Sequence, residues 1–409
     1  MSWLKISQKT YSSIAEYIIA FLIICSAPPY FLWSIYSISN PLIIVSIFII
    51  AFTCNYSCLR KINPYNFIFF ISLSLLFVYI STRNGDSYVA VMSQFLKCSI
   101  ILLPATTLSN IFDKFCKLYA IILVPSILIY FIVVVLNINI PYYIVDPLVS
   151  AKNYTYKVYP FMVQNNVFSF GAYRFEGYFD EPGVVGTVSG AILLIKGINI
   201  KKIETWVVLI SGLISLSLAF YIMFTIAIII HTNYAGRFAL ISIVAILLLV
   251  IKDNDIFNTL ITDRLSVEDG KLSGDNRTSA NVDYFFKDFA HSEKVFFGYG
   301  NYYAQNVVNI GGSSYKDLII NYGIFGFLMI IAIPLLSALR LLKLSKSLYI
   351  YIITFFCIIY QRPGVTTYLY FMFFYVSIFY LNKINTNAQS KNLSCYSTIQ
   401  TKNSSIHII

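Results

Sequence analysis

The stretch "ETWVVLISGLISLSLAFYIMFTIAIIIHTNYAGRFALISIVAILLLVI", residues 204–251, decides the topology of this chain. It is apolar almost throughout and is divided plainly only at "HTNYAGR" (231–237). Two long helices are the simplest interpretation. The alternative is three shorter helices with a tight hairpin around 217–218. Helices of about 15 residues are shorter than the roughly 20 that a bilayer requires. Three crossings therefore predict broken helices that line a cavity.

The composition of the whole chain points to a membrane protein. It has 409 residues, of which 58% are hydrophobic and 11% charged, whereas soluble domains carry about 25% charged residues. Apolar runs of roughly 18 residues recur along its length and are typical of membrane helices. The predicted spans are about 17–37, 41–58, 67–82, 89–107, 118–138, 183–198, 204–217, 218–232, 237–251, 315–339, 347–360 and 364–382.

Basic residues choose between the two topologies. The net charge is +11, and lysine and arginine accumulate in cytoplasmic connections. If both termini are cytoplasmic and residues 204–251 cross three times, the basic connections share one side. We expect no nucleic-acid partner, because no basic stripe with aromatic platforms occurs. The basic residues on the shared side are Lys5, Lys9, Arg60, Lys61, Lys114, Lys117, Lys196, Lys201, Lys202, Arg340, Lys343, Lys346, Lys383, Lys391 and Lys402.

The predicted fold is an all-α polytopic membrane protein with about twelve transmembrane helices and two large extracytoplasmic loops. These loops hold about 13 of the 18 acidic residues but only about 9 of the 29 basic ones. The last segment is rich in Asn, Ser, Thr and Lys, so we expect it to be disordered. The regions are 1–138 (about five spans), 139–182 (first loop), 183–251 (central spans), 252–314 (second loop), 315–382 (C-terminal spans) and 383–409 (cytoplasmic tail).

The end of the first loop, "YRFEGYFDEPGVVG" (173–186), concentrates charge at the start of an apolar helix. Arg174 offers a fixed fork that suits phosphate or carboxylate oxygens. Pro182 can occupy a first helical turn without losing a hydrogen bond, and Glu181 then lies at the positive end of the helix. A helix start with a local Arg–Glu pair is the simpler interpretation. A binding or catalytic site is the alternative.

Three segments in order resemble one family. "RFEGYFDEPGVVG" resembles the RxxG…(E/N)P…G segment of Wzy-type O-antigen polymerases and O-antigen ligases. "GDNRTSANVDYFFKDF…VFFGYG" resembles the second large loop of that family, with Arg277 followed by Gly298 and Gly300. "SSYKDLIINYGIFGFLMII" resembles the return into the membrane, with Gly323 and Gly326. Each motif is weak alone, but the ordered set covers most of the chain.

The resemblance implies glycosyl transfer at the bacterial cytoplasmic membrane, in the synthesis of O-antigen, lipopolysaccharide or capsule. The donor would be a chain on undecaprenyl pyrophosphate, and the acceptor a sugar hydroxyl of the next lipid-linked repeat unit. A chain-length regulator and a flippase of the same pathway would be partners. No metal or cofactor is expected, because arginines can stabilise the charge of a departing pyrophosphate.

The resemblance also suggests roles for residues. Glu181 would take the acceptor proton as general base, with Glu176 and Asp180 as the alternative bases. Arg174 would stabilise the charge of the departing pyrophosphate. Arg362, in "QRPGVTTY", is either a phosphate contact or an interfacial anchor. Lys97, in mid-span, is a candidate functional residue by its position. The alternatives are that it snorkels to the membrane surface or pairs with a carboxylate. The substrate-binding candidates are Arg277, Arg264, Arg362, Glu176, Asp180, Tyr178, Gly177 and Gly300.

Two other functions stay open. Ligases of the resembled family often carry a histidine followed by asparagine before the last loop ends. The matching positions here are Gly312 and Ser313, which favours a polymerase over a ligase. A flippase or transporter for lipid-linked oligosaccharides predicts charges along a central path and small outer loops, whereas the charges here cluster in two long loops.

Overall fold

The computed structural model describes residues 8–54, 62–146, 155–165, 173–233, 236–237, 267–268, 271–272, 280–300 and 315–404, and these are mostly helical. The helices before the first large loop are α1 (Gln8–Cys25), α2 (Tyr36–Cys54), α3 (Pro64–Asn84), α4 (Tyr88–Cys98) and α5 (Ala105–Tyr130). The later helices are α6 (Pro182–Lys196), α7 (Ile203–Ile214), α8 (Leu218–His231), α9 (Ala280–Ala290), α10 (Tyr315–Leu342), α11 (Lys346–Gln361), α12 (Tyr368–Phe371) and α13 (Ser377–Ser404).

The helices agree with a membrane-embedded protein. Within the described residues, four helical stretches are long and apolar enough to cross a bilayer. Other apolar helices have 10–17 residues, so they are short for a full crossing. The four long stretches are Tyr30–Thr53, Pro64–Asn84, Ala105–Val135 and Tyr315–Leu342.

The first two predicted spans, 17–37 and 41–58, have the wrong boundaries. Helix α1 ends at Cys25, and the next helical stretch starts with a 3₁₀ turn at Tyr30. Pro28 and Pro29 lie between them. A proline lacks a backbone N–H and restricts the residue before it, so two in succession end a helix. The indole nitrogen of Trp33 donates to the Pro28 carbonyl (2.9 Å) and closes the turn.

The mostly helical structure agrees with the predicted all-α fold, but the first large loop also contains short strands. It contains an antiparallel sheet in the order β1–β2–β3. The second loop also holds two-residue strands, β4 and β5. Tyr156 of the sheet is fully buried and packs edge-on against Trp33, with ring centroids 4.9 Å apart. This contact fixes the sheet to the helical bundle. The strands are Tyr143–Val145, Tyr156–Tyr159, Met162–Asn165, Val267–Glu268 and Lys271–Leu272.

The apolar block 204–251 does break into separate helices where the sequence predicted. Helix α7 ends at Ile214 and α8 begins at Leu218, with Leu216 in the left-handed region (φ +50°). Such a backbone conformation ends a helix sharply. Residues 215–217 are the tight connection between α7 and α8 and are called the hairpin. The third predicted segment of this block, 237–251, lies outside the described residues from position 238 on.

Helix α6 lies at the centre of the fold, and every residue from Pro182 to Ile195 is buried. Glycines at positions 183, 186 and 190 recur at helical spacing. A side chain at Gly186 would collide with Ser217, and one at Gly190 would meet Met223. The absence of a side chain at these two glycines therefore allows α8 and the hairpin to approach α6 closely.

Basic residues gather at one end of the bundle, named the basic end below. Lys196 at the end of α6 pairs with Asp113 of α5 (2.6 Å). Lys346 at the start of α11 donates to the carbonyl of Ile230 in α8 (2.7 Å). The connections that carry these lysines were predicted from the charge pattern to share one side. The hairpin and the start of α6 lie at the opposite end.

The tail does not become irregular after Asn382, which corrects the predicted disorder. Helix α13 continues to Ser404. The ammonium group of Lys383 donates to Asn110 (3.0 Å) and the amide of Asn385 to the Leu342 carbonyl (3.4 Å). These bonds to α5 and α10 hold the first turn of the tail, so the helix propagates from a fixed start.

Candidate functional site

The acid loop, residues 173–181, runs directly into α6. Glu181 has an extended backbone (φ −151°, ψ 136°) and Pro182 is the first helical residue, as predicted from the sequence. The Glu181 side chain makes no capping hydrogen bond to the helix. Its carboxylate forms an ion pair with a terminal guanidinium nitrogen of Arg362 instead. The sequence pattern that starts α6 thus places the Glu181 carboxylate next to a residue that is distant in sequence.

Arg362 reaches this position from the end of α11. Its backbone N–H donates to Ile358 (2.6 Å) and closes that helix. The guanidinium lies over Gly183 in the first turn of α6, where any side chain would collide with it. The Arg362 side chain is only 13% exposed and that of Glu181 31%. A buried cation therefore adds to the positive end of the α6 dipole.

Arg362 keeps its positive charge and has one N–H group that donates no hydrogen bond to the described residues. Burial acts to lower the pKa of Arg362, but the nearby Glu181 carboxylate acts to raise it, and the net shift is upward. The Nε atom of Arg362 is buried and has no hydrogen-bond partner among the described residues. A buried donor without a partner is costly. An anionic oxygen beside Arg362 would satisfy it.

Arg174 holds the hairpin in place. Its Nε donates to the Ser215 carbonyl (3.1 Å) and a terminal nitrogen to the Leu216 carbonyl (3.2 Å). The backbone N–H of Phe175 donates to Ile214 (3.1 Å). The last carbonyls of a helix lack partners within it and attract cations. The Arg174 fork therefore caps α7 and joins the acid loop to the hairpin, while its catalytic role stays a prediction.

The other candidates in the acid loop tie it to the sheet. Glu176 is 1% exposed and accepts bonds from the backbone N–H (3.0 Å) and side-chain amide (2.7 Å) of Asn165. Gly177 has φ +61°, and its carbonyl accepts from Val163 (2.8 Å). The carbonyl of Asp180 accepts from the Tyr156 hydroxyl (2.5 Å). These contacts hold the acid loop against the sheet, and substrate binding by the three residues stays a prediction.

Tyr178 is packed rather than open. Its ring stacks on Tyr30, with centroids 5.9 Å apart and planes 2° from parallel. Its carbonyl accepts from the Tyr30 backbone N–H (3.0 Å). Tyr178 is 9% exposed. The stack fixes the acid loop to the turn between α1 and α2.

Gly300 lies in a tight junction with α3 and α10. Gly298 and Gly300 have positive φ (+74° and +88°), and a side chain at Gly300 would collide with the Arg83 carbonyl. The N–H of Gly300 donates to Asn321 (2.9 Å). Arg83 was not among the predicted site residues, yet its guanidinium donates to the Gly298 carbonyl. A lone arginine at the end of a membrane helix, in "STRNGD", was the available signal.

Four positions singled out from the sequence are not among the described residues. Arg264 and Arg277 lie outside the described residues, as do Gly312 and Ser313. Their roles stay predictions. The structure brings together Glu181, Arg362 and the start of α6. The side chain of Arg174 bonds to the hairpin instead of joining this group.

Lys97 also contacts the segment that carries Arg362. Lys97 is 4% exposed, and its ammonium group donates to Gln94 (2.8 Å) and to the Thr366 carbonyl. It also lies 5.3 Å from the ring centroid of Tyr368. These three contacts of Lys97 are with neutral groups, so the prediction of a carboxylate partner gains no support from them. Residues 362–367 thus reach the last turn of α4.

Among the described residues, no group of three or more His, Cys, Asp or Glu side chains could hold a metal ion. The chemistry available at the start of α6 is that of a carboxylate, a guanidinium and oriented backbone N–H groups. Such a set can bind an anion and accept a proton. Comparison of the chain with family models, curated proteins and solved structures finds no match.

Proposed function

We propose that this chain is a membrane glycosyltransferase that polymerises oligosaccharide repeat units carried on undecaprenyl pyrophosphate. The observation that carries the proposal is the ion pair between Glu181 and Arg362 at the first turn of α6. It sets a proton acceptor beside a buried cation that has a free donor at Nε. Transfer of a sugar from a pyrophosphate requires both kinds of group.

The proposed step breaks one C–O bond and forms another. The acceptor hydroxyl oxygen attacks the anomeric carbon of the donor, and its proton passes to Glu181. The bond from that carbon to the pyrophosphate breaks, and the departing oxygen keeps the electron pair. Arg362 and the N-terminal N–H groups of α6 stabilise the charge that develops there. Arg174 keeps the acid loop and hairpin fixed during this step.

The helices around the site support a lipid-linked substrate. Helices α6, α7, α8 and α11 have 15, 12, 14 and 16 residues. At 1.5 Å per residue they span about 18–24 Å, less than the roughly 30 Å of a hydrocarbon core. If the basic end lies at one membrane surface, these helices are too short to reach the opposite surface. The Glu181–Arg362 pair then lies below that opposite surface. A head group attached to a membrane lipid can reach such a depth.

The basic end is the cytoplasmic side in this proposal, by the preference of lysine and arginine for that side. The acid loop then faces the outside of the bacterial cytoplasmic membrane. A flippase would deliver the lipid-linked repeat units there, and a chain-length regulator would act on the product. A ligase would use the same donor but attach finished polymer to another acceptor.

The test is extension of a synthetic lipid-linked repeat unit by the purified chain in lipid, without ATP or an ion gradient. A ladder of products with two or more units supports polymerisation. A single transfer of preformed polymer to a different acceptor supports a ligase. Absence of any transfer, together with movement of the lipid-linked unit between leaflets, would show a flippase and sink the proposal.

A further inference from the structure

A pocket at the basic end has no part in the proposed reaction. It has a volume of about 90 Å³ and lies among α5, α6, α7 and α13. The connection between α6 and α7 forms its rim. The charged side chains that line it are those of Lys117, Lys196, Lys202 and Glu204.

Two of the pocket lysines share one carboxylate. Asp113 pairs with Lys117 (3.0 Å) and with Lys196 (2.6 Å). The Lys196 side chain is largely buried, and that of Lys117 is partly exposed. One negative charge cannot balance two positive ones. This part of the pocket therefore keeps an excess of one positive charge.

The rim adds to that excess. Lys201 and Lys202 precede the first turn of α7, and Glu204 lies within it. Together with the shared carboxylate, the pocket and its rim hold four lysines (Lys117, Lys196, Lys201 and Lys202) against two acids (Asp113 and Glu204), which leaves a net charge of +2. A partly enclosed positive site attracts anions more strongly than isolated surface lysines do.

An apolar stripe starts at the same place. Ile203, Trp206, Ile210 and Leu213 are 74%, 44%, 40% and 38% exposed. Their spacing of three, four and three residues puts them on one face of α7. The indole nitrogen of Trp206 donates to the Ile200 carbonyl (2.9 Å), which holds the ring at the rim. Tryptophan is typical of the boundary between head groups and hydrocarbon.

We propose that this pocket binds the phosphate of an anionic phospholipid. The head group would occupy the space between Lys196 and Lys202, and the acyl chains would lie along the stripe on α7. The charge excess selects a phosphate, and the adjoining apolar stripe selects a lipid over free phosphate. Basic pockets between membrane helices bind anionic head groups in this way. The inference needs only a membrane-embedded chain, so it is independent of the proposed reaction.

The experiment counts lipids retained by the purified full-length chain in neutral detergent, using native mass spectrometry. Phosphatidylglycerol and phosphatidylcholine are titrated in parallel, with inorganic phosphate as competitor. Lys202→Gln removes a rim charge, and Lys201→Gln/Lys202→Gln removes two. Lys343→Gln is the matched control, because Lys343 is an exposed lysine that does not line the pocket.

The wild-type chain should retain phosphatidylglycerol in preference to phosphatidylcholine. Lys202→Gln should weaken that retention about fivefold, because each lysine near an anionic lipid strengthens its binding by about that factor. The double variant should weaken it further. Lys343→Gln should leave it unchanged. Equal retention of the two lipids, or equal effects of Lys202→Gln and Lys343→Gln, would overturn the proposal. Displacement of the lipid by equimolar inorganic phosphate would assign the pocket to free phosphate instead.

Discussion

Glu181 and Arg362 meet in an ion pair at the point where α6 begins and α11 ends. The sequence around either residue does not indicate that the two are in contact, because most of the second half of the chain separates them. The contact depends on Gly183, which leaves space for the guanidinium. It also depends on residues 362–367 being held by Lys97 through Thr366. The pair is therefore a product of how three helices are packed.

Glu181→Gln should abolish most of the extension activity while the protein still folds. The amide is nearly isosteric but cannot accept the acceptor proton, and loss of a general base typically lowers the rate by 10²–10⁴-fold. The measurement is the rate of extension of a synthetic lipid-linked repeat unit. Asp146→Asn is the control, because Asp146 is exposed in the same large loop. Extension at the parental rate would remove Glu181 as the base.

Gly183→Ala should displace Arg362 and lower extension at least tenfold. The added methyl group would collide with the guanidinium, and overpacking of this kind costs about 1–3 kcal/mol. Gly190→Ala, two turns along the same helix, meets the Cε and Cβ atoms of Met223 and does not touch Arg362. That variant should lose some thermal stability and keep its activity. Similar activity losses in both variants would show a general packing effect on α6.

Arg174→Lys should loosen the hairpin. A lysine keeps the charge but cannot present the planar fork that reaches two carbonyls. Loss of one such hydrogen bond should lower the free energy of unfolding by about 1–2 kcal/mol. Hydrogen exchange should then rise at residues 214–217. The control is Arg237→Lys. Hydrogen exchange at residues 214–217 should not rise in this variant, because Arg237 bonds to Thr232 at the basic end. Unchanged exchange in Arg174→Lys would contradict the capping role.

Gly300→Ala should destabilise the junction between the second loop, α3 and α10 far more than Gly85→Ala. Both glycines have positive φ, so each substitution carries a backbone cost of about 1–2 kcal/mol. A side chain at Gly85 meets nothing within 4 Å, whereas one at Gly300 collides with the Arg83 carbonyl. The difference is measurable as protease sensitivity near residue 300. Equal sensitivity would mean that the close approach to Arg83 is unimportant.

Several features followed from local pattern. The break between α7 and α8 was predicted because short helices kept the basic connections on one side. The start of α6 at Pro182 was predicted because proline suits the first turn. The double proline at positions 28–29 gave an equally local signal, which the span prediction overlooked. The sheet in the first loop was missed because strands of three or four residues carry little periodicity.

The sequence by itself determined that the chain is built from apolar helices and that its charges divide between loops and basic connections. Only the tertiary structure decided which charges meet. Arg174, adjacent to the acids in sequence, bonds to the hairpin, while Arg362 from α11 pairs with Glu181. The physical reason is that helix periodicity and caps are set by neighbouring residues. Pairing between distant helices depends instead on glycine spacing, helix length and packing, which no single segment encodes.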